Sequence, residues 1–112
     1  MAGNEAALED FLKTAGALYD ETRVKILKLL LLHGPLCICD LEASTGMIQS
    51  RLSRHMKILK EAGFVTARRE GRWVYYAIRS PMDRFRAAAL EEIGTLPLDL
   101  PPLKRQSGVC KR

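Results

Sequence analysis

The sequence predicts a mainly α domain with one small β-hairpin, in the order α-α-α-α-β-β-α. Three observations predict it. Apolar residues recur at spacings of three and four along most of the chain, the period of a helix with one buried face. Two β-rich runs, 64–68 and 73–79, flank the charged tip Arg69-Glu70-Gly71-Arg72, the pattern of a hairpin. Gly34-Pro35, Gly46 and Gly63 stand where one element must stop before the next begins.

Leu8, Phe11, Leu12, Ala15 and Leu18 form the stripe of a first helix over about residues 6–18. Asp20 to Thr22 supplies the cap of a second. Val24, Ile26, Leu27, Leu29, Leu30 and Leu31 fill that helix on most sides, which makes it central to the core. His33-Gly34-Pro35 ends it, with Gly as the C-terminal cap and Pro just beyond. A short third helix is expected over about residues 39–45, broken by Gly46. A fourth runs over about residues 48–62. Ile48, Leu52, Met56 and Leu59 line one side of it, and Gln49, Ser50, Ser53, Arg54, Lys57 and Lys60 the other. After the hairpin, Ser80-Pro81-Met82-Asp83 reads as the start of a fifth helix, with a capping Ser and Pro at the first helical position. Its stripe is Met82, Phe85, Ala89, Ile93 and Leu96. Beyond Leu96 come Pro97, Pro101 and Pro102 and no clear period. The expected organisation is one domain over residues 1–96 and a flexible tail over 97–112.

The totals narrow the function. At 112 residues the chain is one small domain with a modest core, for which oligomerisation is expected. The start MAGNEAALEDF is acidic and polar, unlike a signal peptide, and the longest apolar run, 29–32, is far too short to span a bilayer. A soluble, cytoplasmic protein with no membrane partner is expected. Three cysteines, two of them one residue apart, make a poor disulfide framework, so reduced thiols are expected. The net charge of +5 is concentrated: residues 49–79 hold eight basic and two acidic side chains. Such a basic face suits a polyanion, most plausibly nucleic acid. No Ser/His/Asp or paired-carboxylate set appears, and two histidines give little acid–base capacity, so an enzyme is not expected.

A helix, a short Gly-containing turn and a second helix with a polar outer face make a helix-turn-helix, and a basic hairpin after it makes it winged. From Leu36-Cys37-Ile38-Cys39-Asp40-Leu41, through Ser53-Arg54-His55, to Gly71-Arg72-Trp73-Val74-Tyr75-Tyr76, the chain resembles the ArsR (arsenical-resistance repressor) group of the ArsR/SmtB family. The resemblance spans about residues 8–96. It implies a homodimeric winged-helix repressor that leaves its operator on binding trivalent arsenic or antimony. It also assigns the dimer surface to the first and last helices, with which the stripes Leu8, Phe11, Leu12, Ala15 and Met82, Phe85, Ala89, Ile93 are consistent. Two reading helices related by a twofold axis would read an inverted repeat in double-stranded DNA.

Residue chemistry distributes the DNA contacts. Gln49, Ser50 and Ser53 suit base edges, while Arg54 and Lys57 are better placed for phosphate. Arg68, Arg69 and Arg72 at the hairpin could enter a minor groove or grip the backbone. Arg51 and His55 lie on the flank of the apolar stripe, where packing competes with a DNA contact. Trp73 reads as a packing residue of the wing.

Cys37 and Cys39 fall at the start of the third helix, where the helix terminus favours thiolate, the form that binds soft ions. Residues i and i+2 of a regular helix point about 200° apart. Either the backbone there is irregular, or binding unwinds the helix start. Relatives with this motif often carry a third cysteine at the position that is Glu42 here. As(III) prefers three sulfurs, so either two thiolates suffice or Cys110, the one other thiol, completes the site from the same chain or its partner. Zinc or cadmium would draw on Glu42, Asp40, His33 or His55. Two rivals stand beside the metalloid reading: a thiol redox sensor of the same fold, and a small metal-sequestering protein with an incidental basic face.

Overall fold

The computed structural model describes residues 2–105. Among these, α1 (Ala2–Leu18), α2 (Glu21–His33), β1 (Leu36–Cys37), α3 (Ile38–Thr45), α4 (Gln49–Glu61), β2 (Val65–Glu70), β3 (Trp73–Ile78) and α5 (Arg84–Thr95) follow in order. This is the expected winged helix-turn-helix with one addition. The two residues of β1 join β3 antiparallel, so the sheet has three strands in the order β1-β3-β2, with Leu36 opposite Tyr76 and Cys37 opposite Tyr75. Two residues are too few to show a strand period, which is why the pattern did not reveal β1. Among the described residues, no helix is long and apolar enough to cross a membrane.

Local chemistry sets the boundaries. The Asp20 carboxylate accepts from the Arg23 N–H at 3.1 Å and caps α2. The Asp40 carboxylate accepts from the Cys37 N–H at 3.0 Å and closes the start of α3. The turn into α4 is tied by Thr45, whose hydroxyl donates to the Leu41 carbonyl at 2.7 Å and accepts from the Met47 N–H at 3.2 Å. The wing reverses at Gly71 and Arg72, and Gly71 takes a φ of 63° that favours glycine.

The core gathers Ile26, Leu27, Leu29 and Leu30 of α2 with Leu36, Leu41, Leu52, Met56, Leu59 and Phe64. Leu52, Met56 and Leu59 face inward as expected. Ile48 does not: it is 61% exposed, and Met47 packs against the core instead. The fifth helix also begins later than expected. Asp83, not Ser80, is its N-cap, since its carboxylate is free to accept from the Arg86 N–H. Residues 97–105, expected to belong to a flexible tail, lie docked along the domain. Leu100 and Leu103 pack against the core, the Lys104 N–H donates to the Ser44 hydroxyl at 2.8 Å, and Arg105 donates to the His33 carbonyl at 3.0 Å. Apolar residues at irregular spacing can cover a groove without any period to announce it. Cys110 lies outside the described residues.

Candidate DNA-reading face and thiol site

α4 separates its two sides cleanly. Gln49, Ser50, Arg51, Ser53, Arg54 and Lys57 are exposed, and Leu52, Met56 and Leu59 are buried beneath them. Arg51, ambiguous in sequence, therefore joins the exposed face. Ser50, Arg51, Arg54 and His55 line an open hollow of about 450 Å³ on it. His55 is half-buried, and its Nδ1 lies 3.2 Å from an Arg23 guanidinium nitrogen. A guanidinium only donates, so Nδ1 accepts and the ring proton sits on Nε2. Burial pushes the His55 pKa below its ordinary 6.5, against the pull of Asp20 and with help from Arg23, Arg51 and Arg54.

The wing arginines are exposed. Arg68 pairs with Glu70 at 2.8 Å and lies over the Tyr75 ring, and Arg69 donates to the Gly71 carbonyl at 3.5 Å. Arg72 stands at the turn beside them. Trp73 is half-buried in the wing, a packing position.

Cys37 and Cys39 are both buried, and the structure joins their sulfurs as a disulfide where reduced thiols were expected. The geometric question is answered by where the helix begins. Cys37 is extended, with φ −80° and ψ 162°, and α3 starts at the residue after it. Because Cys37 lies in extended backbone outside the helix, its side chain is not bound to the helical offset of about 200°. The sulfurs meet without any unwinding of α3, with the Cα atoms 5.3 Å apart. Of the supplementary ligands considered, the Asp40 carboxylate joins the pair, all three ligand atoms lying within 4.8 Å. Glu42, His33 and His55 are not in that cluster.

The expected dimer stripes divide. Leu8, Phe11 and Leu12 of α1 are 56%, 52% and 57% exposed, and the Phe11 ring stacks on Phe85 of α5 with centroids 5.1 Å apart. Ala15, Met82 and Ala89 are half-buried, Met82 and Ala89 against the core. Ile93 is buried in the core of the single chain and offers no surface to a partner.

The model of the bacterial regulatory protein arsR family matches residues 20–67, from the cap of α2 into β2. A winged helix-turn-helix DNA-binding domain from Mycobacterium bovis, solved in solution as a homodimer, is similar at a TM-score of 0.68 and 30% identity over 80% of each chain. The chain belongs to the ArsR family.

This ArsR-family chain is 37% identical to the arsenical resistance operon repressor of Escherichia coli K12 over 67% of its own length. The match spans 64% of that relative, just under two thirds. The antimony-specific transcriptional repressor AntR is similar in structure, with a TM-score of 0.63 and 28% identity over 78% of this chain and 76% of that one.

Two arginines of this ArsR-family fold went unmarked in the sequence. Arg23 donates to the carbonyls of Ala17 and Gly16 at 2.8 and 3.3 Å as well as meeting His55, so it links the end of α1 to α4. Arg86 donates to the Ala62 carbonyl at 2.8 Å, to the Thr14 hydroxyl at 2.8 Å, and to Asp83 and Asp10 at 2.9 and 3.3 Å. It thereby ties the end of α4 to α1 and α5. Nothing local distinguishes these from the surface arginines; only the folded chain brings their partners together.

Proposed function

We propose that the chain is a metalloid-responsive transcriptional repressor of the reducing cytoplasm. Residues 1–96 bind an inverted-repeat operator as a homodimer, and As(III) or Sb(III) at the Cys37 and Cys39 thiolates releases it. The observation that carries this reading is the buried sulfur pair at the first turn of α3, the helix that precedes and packs on α4. The names of an arsenical and an antimony repressor among the relatives point the same way. Gln49, Ser50 and Ser53 read bases, Arg51, Arg54, His55 and Lys57 serve the same face, and Arg68, Arg69 and Arg72 hold phosphate or the minor groove.

The sensing form is the dithiol. A dithiol reductant gives two electrons and two protons to the Cys37–Cys39 disulfide and is itself left as a disulfide. Each thiol then exchanges with a hydroxyl of As(OH)₃: an As–S bond forms, an As–O bond breaks, and the hydroxyl takes the thiol proton and leaves as water. A third exchange at Cys110 completes a three-sulfur site. Lys104 is anchored beside Ser44, which stands five residues, about 7.5 Å of helix rise, from Cys39. The six residues from Lys104 to Cys110 span up to ~20 Å when extended. That reach allows Cys110 of the same chain, or of its partner, to supply the third sulfur.

Both sulfurs are buried, and β1 is fixed to β3, so an atom inserted between them displaces the first turn of α3 and with it the pose of α4. A coupling of ~1–3 kcal/mol, typical of such switches, lowers operator affinity roughly 5- to 150-fold. The disulfide favours a second reading, a thiol redox sensor of the same fold.

The test is DNA release under full reduction. Arsenite and antimonite are expected to release the wild type. Cys37→Ser and Cys39→Ser should bind DNA and not respond, and Cys110→Ser should respond only at higher metalloid. Release by oxidant with no response to either metalloid assigns the site to redox sensing instead.

A further inference from the structure

We propose that Ile48 is a specificity-determining residue that reads the C5-methyl group of a thymine in the major groove. The inference rests on α4 being the DNA-reading helix and adds a contact of a different kind to its polar face.

Ile48 breaks two local rules at once. It is the N-cap of α4, where a side chain that accepts a hydrogen bond is strongly preferred and Ile is among the poorest choices. α2 and α5 open with Asp20 and Asp83, each accepting a backbone N–H, and α3 is closed by the Asp40 carboxylate. α4 has no side-chain cap bond. Nor does burial offset that loss, because Ile48 is 61% exposed while its neighbour Met47 reaches the core. A residue that weakens its helix and contributes no packing is best explained by something outside the chain.

Its position says what that is. The first residues of a reading helix lie deepest in the major groove, and Ile48 directly precedes Gln49 and Ser50 on the exposed end of α4. In that groove each base pair shows hydrogen-bonding atoms, and one pair adds an apolar knob, the thymine methyl. A branched aliphatic side chain has no hydrogen bond to give and fits that knob alone. The polar residues beside it can read the neighbouring donors and acceptors.

The experiment uses the full chain and the tightest duplex it selects from a random-sequence pool, with each thymine replaced in turn by uracil, which lacks the methyl. At one position per half-site the wild type should lose about fourfold in affinity, the ratio that follows from ~0.8 kcal/mol for one buried carbon. Ile48→Ser should bind the thymine and uracil duplexes equally. It should also melt at a higher temperature than the wild type, because it restores a capping hydroxyl. A purely structural role would not couple gain of stability to loss of methyl discrimination. Gln49→Ala separates the failures. If it changes base preference while Ile48→Ser still discriminates thymine from uracil, the Ile48 proposal is overturned and α4 remains the reader. If neither variant alters preference at any position, both ideas fall.

Discussion

One imidazole and one guanidinium show how much a single residue can commit. Arg23 satisfies the last carbonyls of α1 and then reaches His55 of α4, which fixes His55 as a neutral acceptor. Burial holds the His55 pKa below 6.5, and the positive charges of Arg23, Arg51 and Arg54 push the same way, with Asp20 opposing. The unfolded chain therefore binds this proton more readily than the folded one. The stability linked to His55 is complete above about 6.5 and is lost as the pH falls through that value toward the lowered native one. Denaturant titrations between about pH 8 and about pH 5, the window in which histidine changes charge, should show the wild type losing more stability on acidification than His55→Gln. Parallel pH profiles would remove the linkage and leave Arg23 with its bonds to the end of α1 alone.

At the scale of elements, α4 is held in place at its far end as firmly as along its side. Gly63 follows it with φ 84°, and the next residue, Phe64, donates to the Leu59 carbonyl at 3.0 Å as the chain turns into the wing. A Cβ at Gly63 would lie 2.9 Å from Arg86 Nε and from an Arg79 terminal nitrogen. Arg79 can swing aside. Arg86 Nε cannot without giving up the Ala62 carbonyl. Gly63→Ala should therefore cost ~2–3 kcal/mol, from the left-handed backbone and about one hydrogen bond. The denaturant midpoint should fall with its slope unchanged. A midpoint within error of the wild type would show that neither the turn nor the Arg86 tie constrains this end of α4.

At the scale of the molecule, the exposed residues Leu8, Phe11 and Leu12, with Phe85 stacked against Phe11, form one apolar face shared by α1 and α5. Arg23 and Arg86 connect that side of the fold to α4, so a partner packed there would set the spacing of two reading helices. Because Leu8 and Leu12 are more than half exposed, the pair Leu8→Asp and Leu12→Asp should leave the fold intact. Sedimentation should show it as a monomer, and under the proposed function an inverted-repeat duplex should bind it only as separate half-sites. A dimer that survives both changes would place the interface elsewhere. The thiol site belongs to this scale too, since Cys37 is fixed in β1 against Tyr75 of β3 only after folding.

The amino-acid sequence alone determined the order of elements, the polar side of α4, the basic wing and the placing of two cysteines at the start of α3. Helical period, caps and turn residues act between near neighbours, so they are written locally. Only tertiary structure decided that β1 joins the sheet, that Met47 and not Ile48 enters the core, that Ile93 is covered within the chain while Leu8 is not, and that Arg23 and Arg86 grip α4. A periodic stripe says that a face is apolar, but not which surface covers it. That answer comes from groups far apart in the chain, and only the fold brings them within reach.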